Sequence, residues 1–326
     1  MTNPMPSIVF TPLNRPILGI VSVIVGVSVF SIQDAIIKGL SSGYPVHQIV
    51  FVRSLIALPL LFLVAFAEGR GTLKTQHLGL HALRGATMFV AYTSYYLALA
   101  ALPIAETVAL YYTVPLFVAA LSVPFLGERV GSRRWAAIAV GFFGVLVIVR
   151  PGDGLADPAA LLAVAAAVAY AMSALLARRL GATDGAGAMA LSATLFYLAA
   201  SGLLGLALSG IDAATDTHDS LQFLLNPWLW PSPRDLALMA ACGLVSAFGF
   251  FFLAQGYRLT QANVAAPFEY VALPWAVLWG YLFFGNLPDM ATVAGAGFIV
   301  GSGLYVIYRE RRAGRRRRCA ELAVER

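Results

Sequence analysis

Charged and amide side chains interrupt several of the long apolar runs in this 326-residue sequence. Asp34 follows Gln33 within one run, and Arg53 lies within the next. Glu269 precedes Tyr270 in a later run. A carboxylate in apolar surroundings can bind an ammonium group or a proton, and a guanidinium can bind a carboxylate. Because a charge at the centre of a membrane-spanning helix costs about 2.5–3.5 kcal/mol, we expect these side chains to face the inside of a helix bundle.

Each of these charges also has a structural interpretation. Lys38 lies four residues after Asp34, a spacing that favours an ion pair on a helix. Arg53 could pair with Asp34 or with Glu106 instead of binding a solute. Glu106 lies near the start of its run, where the helix dipole stabilises an acidic group by about 0.3–1 kcal/mol. Arg84 lies at the edge of its run, from which its long side chain can reach the aqueous interface.

Tyrosines are concentrated in two neighbouring runs. Tyr92, Tyr95 and Tyr96 belong to the first, whereas Tyr111 and Tyr112 belong to the second. Helical spacings of three and four place Tyr92 on one face with Tyr95 or Tyr96. Such rings can hold an ammonium group by a cation–π contact of about 0.5–2 kcal/mol. Packing or a belt of rings at headgroup depth is the alternative, but the position of Tyr95 and Tyr111 within their runs favours a cavity.

The later runs add neutral polar groups and tryptophans. Ser246 and Gln255 belong to one run, and the amide of Gln255 could orient a solute carboxylate. Trp275 and Trp279 are four residues apart, a pattern typical of a surface that faces lipid or the outer interface. The predicted substrate-binding residues are Gln33, Asp34, Arg53, Tyr92, Tyr95, Tyr111, Ser246, Gln255, Glu269 and Tyr270.

The elements that must position these residues are membrane-spanning helices. The chain is 60% hydrophobic and 12% charged, whereas soluble domains contain about 45–50% apolar and about 25% charged residues. Reading apolar runs between Gly, Pro and charges predicts ten spans and an all-α membrane protein without a sizeable soluble domain. The predicted spans are residues 17–40, 46–67, 78–101, 103–126, 132–149, 158–179, 186–209, 235–258, 264–284 and 290–308.

The distribution of positive charge predicts the orientation. With both termini in the cytoplasm, 17 of the 22 Lys and Arg residues lie in or beside cytoplasmic segments. Three, Lys38, Arg150 and Arg234, lie outside, and two lie within or at the edge of spans. Since positive residues favour cytoplasmic loops, this arrangement is the expected one. Residues 1–16 do not resemble a signal peptide, and the longest loop, 210–234, is expected on the outer side.

The two halves of the chain resemble each other. Tyr111, Pro115, Phe125 and Gly127 in the first half correspond to Tyr270, Pro274, Phe283 and Gly285 in the second, with a gap of one residue. Because five spans are an odd number, the second copy should enter the membrane in the opposite sense. We therefore expect a tail at 1–16, repeats at 17–149 and 150–308 around a central cavity, and a basic tail at 309–326.

The stretch 97–129, LALAALPIAETVALYYTVPLFVAALSVPFLGER, carries a family resemblance. Together with Arg53 in FVRSL and Arg84 in LRGA, it resembles the drug/metabolite transporter superfamily, in its bacterial ten-helix branch with two EamA repeats. The second half departs from that pattern, because FFGN ends at Asn286 where the family has a Gly-Glu pair. The resemblance implies two bundles around a cavity lined mainly by spans 1, 3, 4, 6, 8 and 9. It also implies transport of varied substrates: amino acids, including aromatic ones, are exported, and riboflavin or S-adenosylmethionine is taken up.

These observations favour a secondary carrier over an enzyme. Export of amino acids, with aromatic or hydrophobic ones as candidates, is the first hypothesis, and uptake of riboflavin or S-adenosylmethionine is the alternative. The sequence has no phosphate-binding glycine loop followed by Lys and Ser or Thr, so no ATP is implied. His77 and His81 have helical spacing but no third metal ligand nearby, which argues against a membrane-embedded metalloenzyme. Catalytic residues, metals and cofactors are therefore not expected.

The expected partners are a small-molecule substrate and lipid in a bacterial inner membrane. The arginines of 309–318 should attract anionic headgroups, and nucleic-acid binding is not expected because no folded domain accompanies that charge. Gly295, Gly297, Gly301 and Gly303 allow close helix approach, so a monomer and a homodimer both stay open. With only Cys242 and Cys319, no disulfide framework is expected.

Overall fold

A computed structural model describes residues 16–67, 77–127, 131–150, 157–180, 186–211, 217–260 and 262–324. All regular structure in these residues is helical. The helices are α1 (Pro16–Leu40), α2 (Val46–Ala67), α3 (Leu78–Ala101), α4 (Ile104–Tyr111), α5 (Val114–Leu126), α6 (Ser132–Val149), α7 (Pro158–Leu180), α8 (Ala186–Leu208), α9 (Asp219–Leu225), α10 (Pro233–Leu259), α11 (Ala262–Ala265), a 3-10 helix (Ala266–Val271), α12 (Ala272–Phe284) and α13 (Met290–Val324).

Eight stretches within the described residues are long and apolar enough to cross a membrane. They are Ile17–Leu40, Val46–Leu63, Ile104–Phe125, Ser132–Val149, Pro158–Ala177, Met189–Leu208, Pro233–Leu253 and Met290–Arg309. The structure therefore confirms an all-α, multi-pass membrane protein. The full set of ten spans, the inverted sense of the repeat and the central cavity stay predictions.

The two predicted spans outside this set differ from the others for separate reasons. Helix α3 has 24 residues, but His81, Arg84 and its tyrosines lower its hydropathy. It packs along α7 and also contacts α8, so it need not be apolar on every side. The predicted span 264–284 is divided, because a 3-10 helix separates α11 from α12.

Proline explains why two predicted helices are interrupted. The predicted helix 103–126 breaks at Tyr112 and Thr113, two residues before Pro115. Pro115 has no N–H to donate to the carbonyl of Tyr111, and its ring crowds that carbonyl. In the second half, Pro267 lies within the 3-10 segment and Pro274 follows it. Expecting one uninterrupted helix in each case was wrong.

The two interrupted segments end in the same way. Gly127 and Gly285 follow α5 and α12, and both have φ = 67°. A left-handed residue at this position lets the next N–H groups return to the last carbonyls of the helix, and glycine adopts it without a Cβ clash. Gly285 donates to the carbonyl of Tyr281 at 3.1 Å. These two glycines are among the residues that correspond between the halves of the sequence.

The predicted outer loop contains a short helix. Phe223 of α9 is completely buried. The Ser220 hydroxyl donates to the carbonyl of Leu97 near the end of α3 at 2.7 Å. Gln48 of α2 exchanges two hydrogen bonds, of 2.6 and 3.2 Å, with the backbone of Leu229. Helix α9 therefore covers one end of the bundle, called the α9 end below.

Most helix contacts recur when each helix is replaced by its counterpart in the other predicted repeat. The counterpart of α1 is α7, and that of α3 is α10. Helix α1 packs along α10, and α7 correspondingly packs along α3. The pairs α2 with α8 and α6 with α13 each map onto themselves. This contact pattern is what two related five-span copies would generate.

Small residues permit the close packing of α1 on α10. A Cβ added to Gly26 would lie 3.1 Å from the backbone nitrogen of Leu253 and 3.2 Å from the carbonyl oxygen of Gly249. Backbone atoms cannot move aside as a flexible side chain can. Gly26 therefore fixes how near the two helices approach each other.

Replacing Gly26 by a larger residue should destabilise the bundle. Gly26→Val must push α10 away, and overpacking of this kind costs about 1–3 kcal/mol. Gly297→Val is the matched control, because its added Cβ meets no atom within 4 Å. Thermal unfolding in detergent should show a Tm several degrees lower for Gly26→Val than for Gly297→Val. Equal Tm values for the two variants would contradict this account of the α1–α10 contact.

Candidate functional site

Five tyrosines form a closed ring of aromatic contacts inside the bundle. Three come from α3, one from the end of α4 and one from α7. The ring-centroid distances are 6.0 Å for Tyr92–Tyr96, 5.6 Å for Tyr96–Tyr95, 5.0 Å for Tyr95–Tyr111, 5.7 Å for Tyr111–Tyr170 and 6.4 Å for Tyr170–Tyr92. We call these residues the tyrosine ring. Their contacts join the two predicted halves of the chain.

Three more tyrosines extend this arrangement. Tyr197 of α8 contacts Tyr92 at 6.0 Å. Tyr112, at the break between α4 and α5, contacts Tyr270 at 4.9 Å. Its hydroxyl also donates to the backbone carbonyl of Glu269 at 2.5 Å. The helix break thus directs one tyrosine of the 111–112 pair to the tyrosine ring and the other to the 3-10 segment.

Arg53 is enclosed by aromatic rings. Its guanidinium lies 5.6 Å from the ring of Tyr92, 5.3 Å from that of Tyr96 and 5.9 Å from that of Tyr197. One guanidinium nitrogen donates to the Tyr96 hydroxyl at 2.6 Å, and only 5% of the residue is exposed. Ring faces and a phenolic oxygen compensate part of the cost of burying this charge.

Gln33 connects this group to α10. In the amide orientation that satisfies both ends, its oxygen accepts from Tyr96 at 2.7 Å and from Arg53 at 3.0 Å. Its nitrogen then donates to Ser246 at 2.6 Å and to the carbonyl of Cys242 at 3.0 Å. Gln33 and Ser246, both predicted site residues, therefore lie in one hydrogen-bonded group with Arg53.

The predicted direct ion pairs of Arg53 are wrong. Among the described residues, neither Asp34 nor Glu106 brings a carboxylate oxygen within 4 Å of its guanidinium. Glu106 instead lines a cavity of about 410 Å³ at the α9 end, together with Arg150 and Asp157. It does lie in the first turn of α4, where the helix dipole favours an acidic group, as predicted. Arg53 therefore retains a charge that a solute carboxylate could balance.

Asp34 lies beside the tyrosine ring and accepts a hydrogen bond of 2.9 Å from the Tyr95 hydroxyl. The predicted ion pair with Lys38 does not form. Lys38 donates instead to the carbonyls of Leu99 and Leu102 at 2.7 and 2.8 Å. Within the described residues, no basic side chain lies within 4 Å of the Asp34 carboxylate. This carboxylate can therefore accept a cationic solute or a proton.

Glu269 lies next to Tyr270 in the 3-10 segment. Its carboxylate is within electrostatic range of Tyr112, Tyr170 and Tyr270. The Tyr270 hydroxyl is buried and has no hydrogen-bond partner among the described residues. The structure thus brings Glu269 and Tyr270 towards the same group of rings, without a direct bond to Asp34.

The surroundings of three other predicted residues are as follows. Gln255 follows Ser246 by nine residues on α10, which is about 13.5 Å along the helix and half a turn around it, so it lies apart from Gln33, and its part in substrate binding stays a prediction. Arg84 donates to the backbone carbonyl of Met189 in α8 at 3.0 Å. Trp279 donates to Ser31 of α1 at 2.9 Å, so its indole nitrogen faces protein rather than lipid.

The match to known proteins accords with this architecture. The model of the EamA-like transporter family matches residues 17–150 and 157–309. This chain belongs to the EamA-like transporter family. A solved structure titled "Crystal structure of protein" covers 91% of the chain and 98% of its own length, with a TM-score of 0.58 and 19% identity. That likeness supports the fold alone.

Curated relatives of this EamA-like protein carry several transport names. An "S-adenosylmethionine uptake transporter" of Rickettsia conorii is 30% identical, covering 88% of this chain and 91% of the relative. A "Riboflavin transporter" of Rhizobium johnstonii is 31% identical, with 78% and 80% covered. A "Pseudopaline exporter CntI" of Pseudomonas aeruginosa is 27% identical, with 86% and 93% covered. The EamA-like chain is therefore similar to relatives named for uptake, for riboflavin transport and for export.

Sequence reasoning missed part of the aromatic group in this EamA-like protein. Tyr96, Tyr112, Tyr170 and Tyr197 were not among the predicted binding residues, although all four contact residues that were. Tyr170 and Tyr197 each lie well inside an apolar run, as Tyr95 and Tyr111 do. That shared position was a usable signal, because it separates them from tyrosines at helix ends.

Removing the charge of Asp34 should impair transport more than folding. Asp34→Asn can still accept a hydrogen bond from Tyr95 but cannot balance a cation, so we expect at least about a tenfold loss of flux, or about 1.4 kcal/mol. Glu269→Gln should act in the same direction. Flux in proteoliposomes and Tm in detergent are the measurements, and Asp289→Asn at the exposed pair with Arg150 is the control. Unchanged flux in both variants would remove these carboxylates from the site.

Two phenylalanine variants separate the role of a hydroxyl from that of a ring. Tyr95→Phe removes the donor to Asp34 but keeps the aromatic face, whereas the Tyr111 hydroxyl has no hydrogen-bond partner among the described residues. We expect substrate affinity to fall several-fold for Tyr95→Phe and little for Tyr111→Phe, measured by binding titration. Tyr95→Ala and Tyr111→Ala should both weaken binding, because cation–π contacts are worth about 0.5–2 kcal/mol. Unaltered binding in the two alanine variants would mean that the rings only pack.

Proposed function

We propose that this protein is a secondary carrier of small organic solutes that combine a positive charge, an amino acid group and a flat ring. S-adenosylmethionine is the first candidate, taken up across the inner membrane. The observation that carries the proposal is the tyrosine ring, in which Tyr95 binds Asp34 and Tyr96 binds Arg53, a cation that no described carboxylate pairs with. Aromatic groups recognise organic cations by cation–π attraction.

The chemistry of S-adenosylmethionine fits these groups one by one. One of its two cations, the sulfonium or the ammonium, can be balanced by Asp34, and its adenine can stack on tyrosine rings. Its carboxylate can be bound by Arg53, since a guanidinium forms strong charge-assisted hydrogen bonds with carboxylates. The relative named for S-adenosylmethionine uptake supports this choice, because its similarity covers 88% of this chain.

Amino acid export is the second candidate function. It is favoured by the same pair of opposite charges, because a zwitterion offers an ammonium to Asp34 and a carboxylate to Arg53. The similarity to an exporter, over 86% of this chain, is a further argument for outward movement. Riboflavin uptake ranks below both, because riboflavin needs neither charge, although one relative is named as a riboflavin transporter.

We further propose ten spans arranged as two inverted repeats, 17–149 and 150–308, around a central cavity. Contacts at the α9 end support the inversion. Lys38, near the end of α1, binds the end of α3, and Ser220 of α9 binds that end as well. His218 before α9 contacts Asp157, which lies just before α7, at 3.0 Å. The last turn of α1 and the first turn of α7 thus lie at one end of the bundle, which supports repeats of opposite sense.

The proposed orientation places the α9 end outside the cell and both termini in the cytoplasm. The basic residues at the α9 end in this topology are Lys38, Arg150 and Arg234, whereas most others lie towards the opposite end. The arginines of 309–318 would then contact anionic lipid on the cytoplasmic side. Transport would draw on solute or ion gradients without ATP, cofactor or covalent chemistry, in a monomer or a homodimer.

A counterflow screen tests the proposed substrate. Proteoliposomes preloaded with unlabelled S-adenosylmethionine should accumulate labelled S-adenosylmethionine, and aromatic amino acids should compete better than riboflavin, which lacks the cation and the carboxylate. Liposomes with Asp34→Asn protein are the matched control. Exchange of riboflavin alone would overturn the proposed charge recognition. Any chemical change in the recovered solute would favour an enzyme instead.

A further inference from the structure

A groove of about 560 Å³ lies on the flank of the bundle, away from the tyrosine ring. Helix α1 forms its floor with Ile32, Ala35 and Gly39, and α10 contributes Leu238. Trp279, Phe283 and Phe284 of α12 form the remaining wall. The residues of α1 and α10 belong to stretches that are long and apolar enough to cross a membrane, and those of α12 belong to the predicted span 264–284. The groove therefore faces lipid rather than water.

Small residues at helical spacing create the groove. Ala35 and Gly39 are one turn apart on the same face of α1, where a larger residue would fill the space between α10 and α12. A Cβ added to Gly39 would meet no atom within 4 Å, so this glycine borders open space rather than a helix contact. Gly39 thus differs from Gly26, where the backbones of α1 and α10 are in contact.

The shape and lining of the groove fit an acyl chain. From Ile32 to Gly39 the floor runs about 10 Å along the helix axis. Its middle is lined by aliphatic and aromatic side chains, and its polar residues, Arg234 and Asp235, are confined to the end where α10 begins. An occupant must therefore be apolar along most of its length and polar at one end.

The polar end carries one carboxylate and one guanidinium, and the guanidinium has no ion-pair partner among the described residues. The Asp235 carboxylate already accepts hydrogen bonds from Tyr44 and Ser232, each at 2.8 Å. Arg234 is exposed beside it in the first turn of α10. Trp230, four residues earlier, is 99% exposed, as expected of an indole at headgroup depth. The Arg234 guanidinium can thus reach a phosphate at the membrane surface.

We propose that this groove binds one anionic phospholipid, with an acyl chain between α1, α10 and α12 and its phosphate on Arg234. Charge complementarity selects the lipid class, since a zwitterionic headgroup offers Arg234 less net negative charge. The bound chain would support α1, the helix that also carries Asp34 and Gln33. This proposal depends on membrane embedding and is independent of the transported solute.

Native mass spectrometry of the full-length protein tests the proposal. Protein reconstituted in equal amounts of phosphatidylglycerol and phosphatidylcholine should retain one phosphatidylglycerol after detergent release. Arg234→Gln should lower the phosphatidylglycerol-bound fraction at least about threefold, as should Gly39→Leu, which fills the groove. Arg150→Gln is the control for charge at the same end, because Arg150 is already paired with Asp289. Gly297→Leu is the control for a bulky residue at an open helix position.

Three results would overturn the proposal. The first is equal retention of phosphatidylglycerol by the parent protein, Arg234→Gln and Gly39→Leu. The second is equal retention of both lipids by the parent protein. The third is a loss of solute counterflow in Gly39→Leu with normal phosphatidylglycerol retention, which would make the groove a solute route. If Gly39→Leu proves unstable by its Tm, the exposed Arg234→Gln substitution decides between binding and no binding.

Discussion

Burial of the Arg53 guanidinium is the constraint on which the rest of the site depends. A cation deep in a membrane protein must be compensated by protein groups, since lipid offers none. Here the compensation comes from three aromatic faces, the Tyr96 hydroxyl and the Gln33 amide. These partners arise from α1, α3 and α8, so satisfying one charge requires three helices to meet. The rings that lie beside Asp34 belong to the same group.

Much of the fold could be predicted because lipid imposes a simple rule on sequence. Seven predicted segments match their helices within two residues at both ends, from residue 17 to residue 258. Apolar runs bounded by Gly, Pro and charge carry that information. The predictions were wrong where one helix was expected across 103–126 and 264–284. Both runs are apolar along most of their length, so hydropathy gives no sign of a break. It does not record the backbone hydrogen bond that a proline removes from the carbonyl four residues before it.

The site was predicted in type but not in pairing. A polar residue within an apolar run usually faces the inside of the bundle and has a partner or a function. This rule was enough to select Gln33, Asp34, Arg53 and Ser246. Their partners could not be selected, because spacing along one helix says nothing about what a neighbouring helix presents. Lys38 illustrates the point: its spacing favoured an ion pair within α1, yet its ammonium group binds free carbonyls at the end of α3.

The break at residues 112–113 has a mechanical consequence. Helices α4 and α5 together make one passage through the bundle, but no continuous ladder of backbone hydrogen bonds stiffens the joint between them. A straight helix transmits a tilt along its whole length, whereas a jointed one lets its two segments swing separately. The tilt of α5 can therefore change separately from that of α4, while Tyr111 keeps its contacts with Tyr95 and Tyr170. In the second half, the 3-10 turn before α12 forms an equivalent elbow.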